Sequence, residues 1–115
     1  MPSTTATPGV RREKEVRQEK KDDLTPLFNV VLLDDNDHTY EYVIEMLGAI
    51  FLLPADVAFK HAVEVDSTGR TIVMTCEREQ AEFGRDQIHG YGADPRMPRS
   101  KGSMRAIVEP AAPTR

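Results

Sequence analysis

Hydrophobic positions in the first half of the chain change from a continuous run to a helical period. Residues 27–33 are almost continuously apolar and rich in β-branched side chains, which predicts a central strand. Further on, apolar residues recur at the spacing of one helix face: Tyr40, Val43, Ile44, Leu47, Ile50 and Phe51. Pro54 marks the start of a second helix. We expect it to end near Asp66, before a turn over residues 67–70, and to bury one stripe: Ala58, Ala62 and Val65.

The remaining pattern predicts two more strands and a third helix. Residues 71–76 are β-branched enough for a strand, and the acidic residues at 77–79 suit the positive end of a helix that Gly90 or Gly92 would end. A last strand is expected over residues 103–109. The order strand, helix, helix, strand, helix, strand predicts an α/β fold of the α+β sandwich type. We expect a three-stranded antiparallel sheet with three helices on one face.

Composition sets the domain limits and narrows the class of protein. Large apolar side chains are almost absent from residues 1–25, so we expect a flexible extension, a domain over residues 26–110 and a loose tail at 111–115. A net charge of −4 argues against nonspecific nucleic-acid binding. With no apolar run near the ~20 residues of a membrane span and no signal peptide, we expect a cytoplasmic protein that does not bind membranes.

Three carboxylates crowd the segment after the first strand. Asp34, Asp35 and Asp37 fall within four positions, which costs repulsion unless a cation lies against them. A solvated turn that caps the next helix explains the same residues equally well.

A calcium loop is the first metal site to consider here. Asp34, Asn36 and Glu45 fall at the first, third and twelfth positions of an EF-hand, but the sixth position, where the turn needs glycine, is Thr39. The three histidines also lack close metal-ligand spacing. We therefore expect no metal, no cofactor and no catalytic residue.

Asp66 is the second informative acid. A carboxylate at a helix C-terminus meets the negative end of the helix dipole, at a cost of up to ~1 kcal/mol, unless Asp66 simply starts the following turn. Together with the earlier acids, it would suit a primary ammonium, which donates up to three hydrogen bonds.

The segment 27–109 resembles the ClpS family, the adaptors that deliver N-degron substrates to AAA+ Clp unfoldases. The resemblance rests on motifs that follow one another in the family's order: the strand 28–33, Asp34-Asp35-Asn36, the helix start 40–47, Gly69-Arg70, Glu79 and Ala81, and 102–104 leading to Glu109-Pro110.

The resemblance implies a surface pocket for the first residue of a protein, usually Leu, Phe, Tyr or Trp. By position, Asp34, Asp35 and Asp66 would bind its α-amino group. The side-chain pocket would consist of Asn36, His38, Tyr40, Val43, Ala62, Val65 and Met104. The family usually has Asn in place of Asp34 and His in place of Asp66, and commonly Met in place of Tyr40 and of Ala62.

The resemblance also implies partners. Glu79 matches an acidic docking position for the N-terminal domain of a ClpA- or ClpC-like unfoldase, whereas Gly84 stands where Lys is often found. Residues 1–25 resemble the extension that the unfoldase engages during delivery. The implied protein is an adaptor for N-degron substrates and not an enzyme.

Two alternatives stay open at this point. A ClpS-like scaffold could have lost amine recognition and bind another peptide or partner, as the exchanges at Asp34 and Asp66 suggest. A small metal-binding or hydrolytic domain could use the acids together with His38.

Overall fold

A computed structural model describes residues 25–112 and shows six elements in the predicted order. They are β1 (Phe28–Leu33), α1 (Tyr40–Phe51), α2 (Ala55–Thr68), β2 (Arg70–Cys76), α3 (Arg78–His89) and β3 (Arg105–Pro110). The expected extension 1–25, except for its last residue, and residues 113–115 of the expected tail lie outside the described residues. Within residues 25–112, no helix combines the length and the hydropathy needed to cross a membrane.

The sheet has the strand order β2-β1-β3, and both pairings are antiparallel. The continuous apolar run therefore forms the central strand, as predicted. Its pairing with β2 shifts between Val30, opposite Met74, and Val31, opposite Ile72, so β2 has one extra residue there. At the other end, the N–H of Ala111 donates to the carbonyl of Leu27 at 2.9 Å, which continues the pairing beyond Pro110.

The core lies between one face of the sheet and the three helices. From the sheet it receives Val30, Leu32, Val73 and Ala106, all at most 8% exposed. The helices add, among others, Met46, Leu47, Ala58, Ala62, Val65, Ala81 and Ile88. The predicted α/β fold with one three-stranded antiparallel sheet is confirmed.

Two element limits differ from the predictions by two residues each. The helix α2 continues past Asp66 to Thr68, and the chain turns only at Gly69, whose φ of 91° ends the helix in the left-handed region. The last strand begins at Arg105 instead of residue 103, because the hydroxyl of Ser103 accepts a hydrogen bond from the N–H of Gly92 at 2.6 Å and is part of the preceding loop.

The buried surface of α1 is wider than the predicted stripe. Tyr42 and Met46, which lie outside that stripe, are 1% and 0% exposed, whereas Tyr40 inside it is 37% exposed. The reason is that α1 packs against α2 and also against α3. Tyr40 at its first turn is therefore left at the surface.

Candidate functional site

One small cavity collects residues from four separate segments of the chain. It lies where the end of β1, the start of α1, the last turns of α2 and the residue before β3 meet. The N–H of Asp34 donates to the carbonyl of Gly69 at 3.0 Å, which ties the end of β1 to the end of α2. The cavity measures about 110 Å³, and its lining is the predicted set: Asp34, Asp35, Asn36, His38, Tyr40, Val43, Ala62, Val65, Asp66 and Met104.

The apolar wall of the cavity is also part of the core. Val43, Ala62, Val65 and Met104 are each at most 3% exposed and belong to the main hydrophobic cluster. The wall is therefore held by the same packing that stabilises the domain. A side chain that entered the cavity would meet a rigid apolar surface.

The carboxylates lie at the polar side of this cavity. Partial burial and the neighbouring charges of Asp66 and Asp35 raise the pKa of Asp34, because each disfavours its ionised form. Oδ1 of Asp35 accepts a hydrogen bond from the N–H of Asp37 at 2.9 Å and lies 2.8 Å from Nδ1 of the His38 ring, and both contacts orient the carboxylate. Nearby, Asp37 also lies 3.6 Å from the guanidinium of Arg99. Asp34, Asp35 and Asp66 together form a local negative site that a bound cation would stabilise.

His38 is fixed between this acidic segment and the loop before β3. Its Nδ1 contacts Asp35, and its Nε2 lies 2.7 Å from the carbonyl of Gly102 and 3.2 Å from the hydroxyl of Ser100. The ring also packs on Tyr42 at a centroid distance of 4.5 Å. His38 thus serves as a rigid part of the wall.

Tyr40 and Asp66 form the exposed rim of the cavity. The hydroxyl of Tyr40 donates to Oδ2 of Asp66 at 2.6 Å, which bridges the start of α1 and the last turn of α2. The hydrogen bond to Asp66 is the main reason that the pKa of Tyr40 is raised. Asp66, whose charge was expected to be unfavourable near the negative end of the α2 dipole, therefore has a specific hydrogen-bond donor.

Several residues that organise the site were not predicted from the sequence. Asp94, Ser100 and Gly102 belong to the loop between α3 and β3 and hold Thr39 and His38 from outside the cavity. The dipeptide Asp94-Pro95 indicates only a turn, and no local pattern reveals which distant backbone groups the loop will contact.

Glu79 lies apart from this cavity, in a second and more open groove of about 820 Å³. The groove is mostly apolar, and two large side chains beside it, Leu52 and Phe83, are 83% and 64% exposed. Gly84 is buried at its base, where a Cβ would come within 3.1 Å of the Phe51 ring. Among residues 25–112, no group of three or more His, Cys, Asp or Glu side chains is arranged to hold a metal ion.

Comparisons with known proteins agree on one family. Residues 23–98 match the family model described as ClpS, ATP-dependent Clp protease adaptor protein. The chain is 31% identical over 87 residues to the chloroplastic Clp protease adapter protein CLPS1 of Arabidopsis thaliana. The matched segment covers 75% of this chain and about half (54%) of that relative. It is 25% identical over 91 residues to ClpS of Desulforapulum autotrophicum, over 79% of this chain and 88% of the relative.

A solved structure supports the fold. Agrobacterium tumefaciens ClpS2, bound to L-phenylalaninamide, matches with a TM-score of 0.65 and 24% identity, over 76% of this chain and 99% of that one. The family is one of adaptors to a protease, not of enzymes. The chain belongs to the ClpS family of ATP-dependent Clp protease adaptors.

Proposed function

We propose that this chain binds the free N-terminal residue of N-degron substrates and delivers these substrates to a Clp AAA+ unfoldase. The observation that carries the proposal is the shared cavity, in which Asp34, Asp35 and Asp66 face the same space as a buried apolar wall. The first residue of a protein has the matching chemistry, because it presents an ammonium next to a side chain.

The acids supply the charge-assisted part of this recognition. An α-ammonium donates three hydrogen bonds, and hydrogen bonds that involve charged groups contribute about 1.5–3 kcal/mol each. Asp34 and Asp66 replace residues that are usually uncharged in the family, so this site attracts an ammonium more strongly by charge. The ClpS2 neighbour supports the proposal, because L-phenylalaninamide is an apolar residue with a free α-amino group.

The test compares two peptides that differ only at the amino group. A peptide that begins with Phe or Leu and has a free amine is titrated into the protein, followed by its N-acetylated twin. We expect the free peptide to bind and the acetylated one not to, because acetylation removes the charge and two donors. Equal affinity for both peptides would favour the alternative scaffold that binds an internal segment or another partner.

The second half of the proposal is docking of the N-terminal domain of a ClpA- or ClpC-like unfoldase at Glu79. Glu79 is exposed and lies beside the exposed apolar side chains Leu52 and Phe83, which supports this assignment because an interface needs both anchoring apolar area and orienting charge. The variant Glu79→Lys should lose binding to the unfoldase domain and keep its peptide affinity. Loss of both activities would contradict separate sites, and loss of neither would contradict docking at Glu79.

A further inference from the structure

Tyr40, which lines the cavity, contacts α2 at two points. Its hydroxyl donates to Asp66, and its ring makes an edge contact with Phe59 at a centroid distance of 5.9 Å and an interplanar angle of 67°. Phe59 and Asp66 are seven positions apart, which is about two helical turns, so they lie on one side of α2. The phenol is therefore held between two anchors of the same helix.

The bond uses only one oxygen of Asp66. Within residues 25–112, the other oxygen, Oδ1, has no hydrogen-bond partner. The raised pKa of Tyr40 means that the contact with Asp66 favours the neutral phenol, which is the form that donates the hydrogen bond. Asp66 also repels Asp34, and a donor on Asp66 reduces the cost of keeping the two charges together.

We propose that Tyr40 is a positioning residue, whose hydroxyl orients the carboxylate of Asp66 so that its free oxygen receives the α-ammonium of the substrate. This inference rests on the proposed function. The aromatic ring contributes to the cavity wall independently of the hydroxyl. Preorientation increases affinity because the carboxylate does not lose rotamer freedom when the substrate binds.

A double-mutant cycle tests the hydroxyl by itself. The affinity of the free-amine Phe peptide is measured for the parent chain, Tyr40→Phe, Asp66→Ala and the double variant. Tyr40→Phe keeps the ring, and we expect roughly 3- to 10-fold weaker binding, the range of one net hydrogen bond. In the Asp66→Ala background the same change should alter affinity less than twofold, because a residue that acts through Asp66 has nothing left to orient.

The matched control is Tyr91→Phe. Tyr91 is 38% exposed, nearly the same as Tyr40, and lies outside the cavity lining. This variant should bind the peptide within twofold of the parent. Thermal unfolding of every variant verifies that the fold is kept.

The outcomes separate the two proposals. If the parent chain binds the free and the acetylated peptide equally well, both amine recognition and the positioning role of Tyr40 are refuted. If the parent distinguishes them and Tyr40→Phe binds equally well or more tightly, only the positioning role is overturned. A loss that is equally large with and without Asp66 would also overturn it, since the hydroxyl would then act on the substrate by another route.

Discussion

Thr39 donates two hydrogen bonds to a single oxygen of Asp94, from its N–H at 2.7 Å and from its hydroxyl at 2.8 Å. Thr39 is also the N-cap of α1, where its hydroxyl accepts from the N–H of Tyr42 at 3.1 Å. The loop after α3 is thereby fixed to the helix that begins with Tyr40. The negative charge of Asp94 also lies at the positive end of the α1 dipole, which stabilises the helix start.

Asp94→Asn should destabilise the domain by about 2–3 kcal/mol, since an amide cannot replace a buried carboxylate that accepts from both Thr39 and Arg96. Burial alone would raise the pKa of Asp94, but these hydrogen bonds lower it from 3.8 to about 2. A depressed pKa stabilises the folded state above pH ~4, and about 2 kcal/mol is lost as the pH falls toward 2. Urea unfolding at several pH values measures this loss of folding stability in acid. The Asn variant should show a smaller loss in acid than the parent, and equal pH dependence would contradict the assignment.

Asp66→Ala should weaken binding of the free-amine peptide by roughly 1–3 kcal/mol, because the ammonium loses one charged acceptor. The fold should be kept, since Asp66 is exposed at the end of α2. Asp66→His, which introduces the residue that the family usually has, should retain binding. Asp86→Ala, on an exposed aspartate outside the cavity, is the matched control. Parent-like affinity of Asp66→Ala would leave Asp34 and Asp35 as the only amine ligands.

Peptide affinity should pass through a maximum with pH. Above pH ~8 the α-amino group of the peptide, with an ordinary pKa of about 7.7–8.0, loses its proton and its charge. On the acid side, Asp34 protonates at a higher pH than an ordinary aspartate, because partial burial, Asp66 and Asp35 raise its pKa. Ammonium binding favours the ionised form, so affinity must fall as Asp34 takes up its proton. Asp34→Asn should move this acidic decline to lower pH, and an unchanged profile would remove Asp34 from the site.

Local patterns were sufficient for the elements but not for every buried residue. The continuous apolar run identified β1, and the helical period identified α1. Tyr42 was missed because its burial depends on α3, whose contact with α1 no periodicity in α1 can show. The end of α2 was predicted two residues too early, because aspartate is common in turns. The helix ends only where Gly69 adopts the left-handed backbone conformation.

The site could be assembled from the sequence only through the family resemblance. Asp34 and Asp66 are 32 positions apart, and spacing alone does not show that the chain brings them into one cavity. The resemblance supplied that juxtaposition for every lining residue. It could not supply the bond between Tyr40 and Asp66, because the family usually has Met and His at these two positions.

Two glycines in helix interiors should respond differently to replacement by alanine. At Gly48 the nearest atom to a new Cβ is 3.7 Å away, an ordinary contact, so Gly48→Ala should stabilise the domain by about 0.5–1 kcal/mol. At Gly84 the new Cβ would lie 3.1 Å from the Phe51 ring and 3.6 Å from Val30. The helical gain is then offset by overpacking of about 1–3 kcal/mol, so we expect a neutral or destabilising change. Denaturant midpoints of the two variants measure the difference, and equal stabilisation would show that Phe51 moves aside freely.

Deletion of residues 1–25 should separate substrate binding from delivery. This segment has almost no large apolar side chains, so its loss should leave thermal stability and peptide affinity nearly unchanged. Delivery should fail, because the unfoldase would lose the extension that the family resemblance assigns to its engagement. The measurement is degradation of a reporter with an N-terminal Phe by the matching Clp unfoldase and peptidase, with full-length and truncated adaptor at equal substrate occupancy.

Replacement of residues 1–25 by a Gly/Ser segment of the same length is the control, since it restores length without the sequence. Rescue of degradation by the Gly/Ser segment would mean that only the length of residues 1–25 matters. Undiminished degradation with the truncated chain would refute the delivery role. Reduced peptide affinity of the truncated chain would show that residues 1–25 contribute to the pocket.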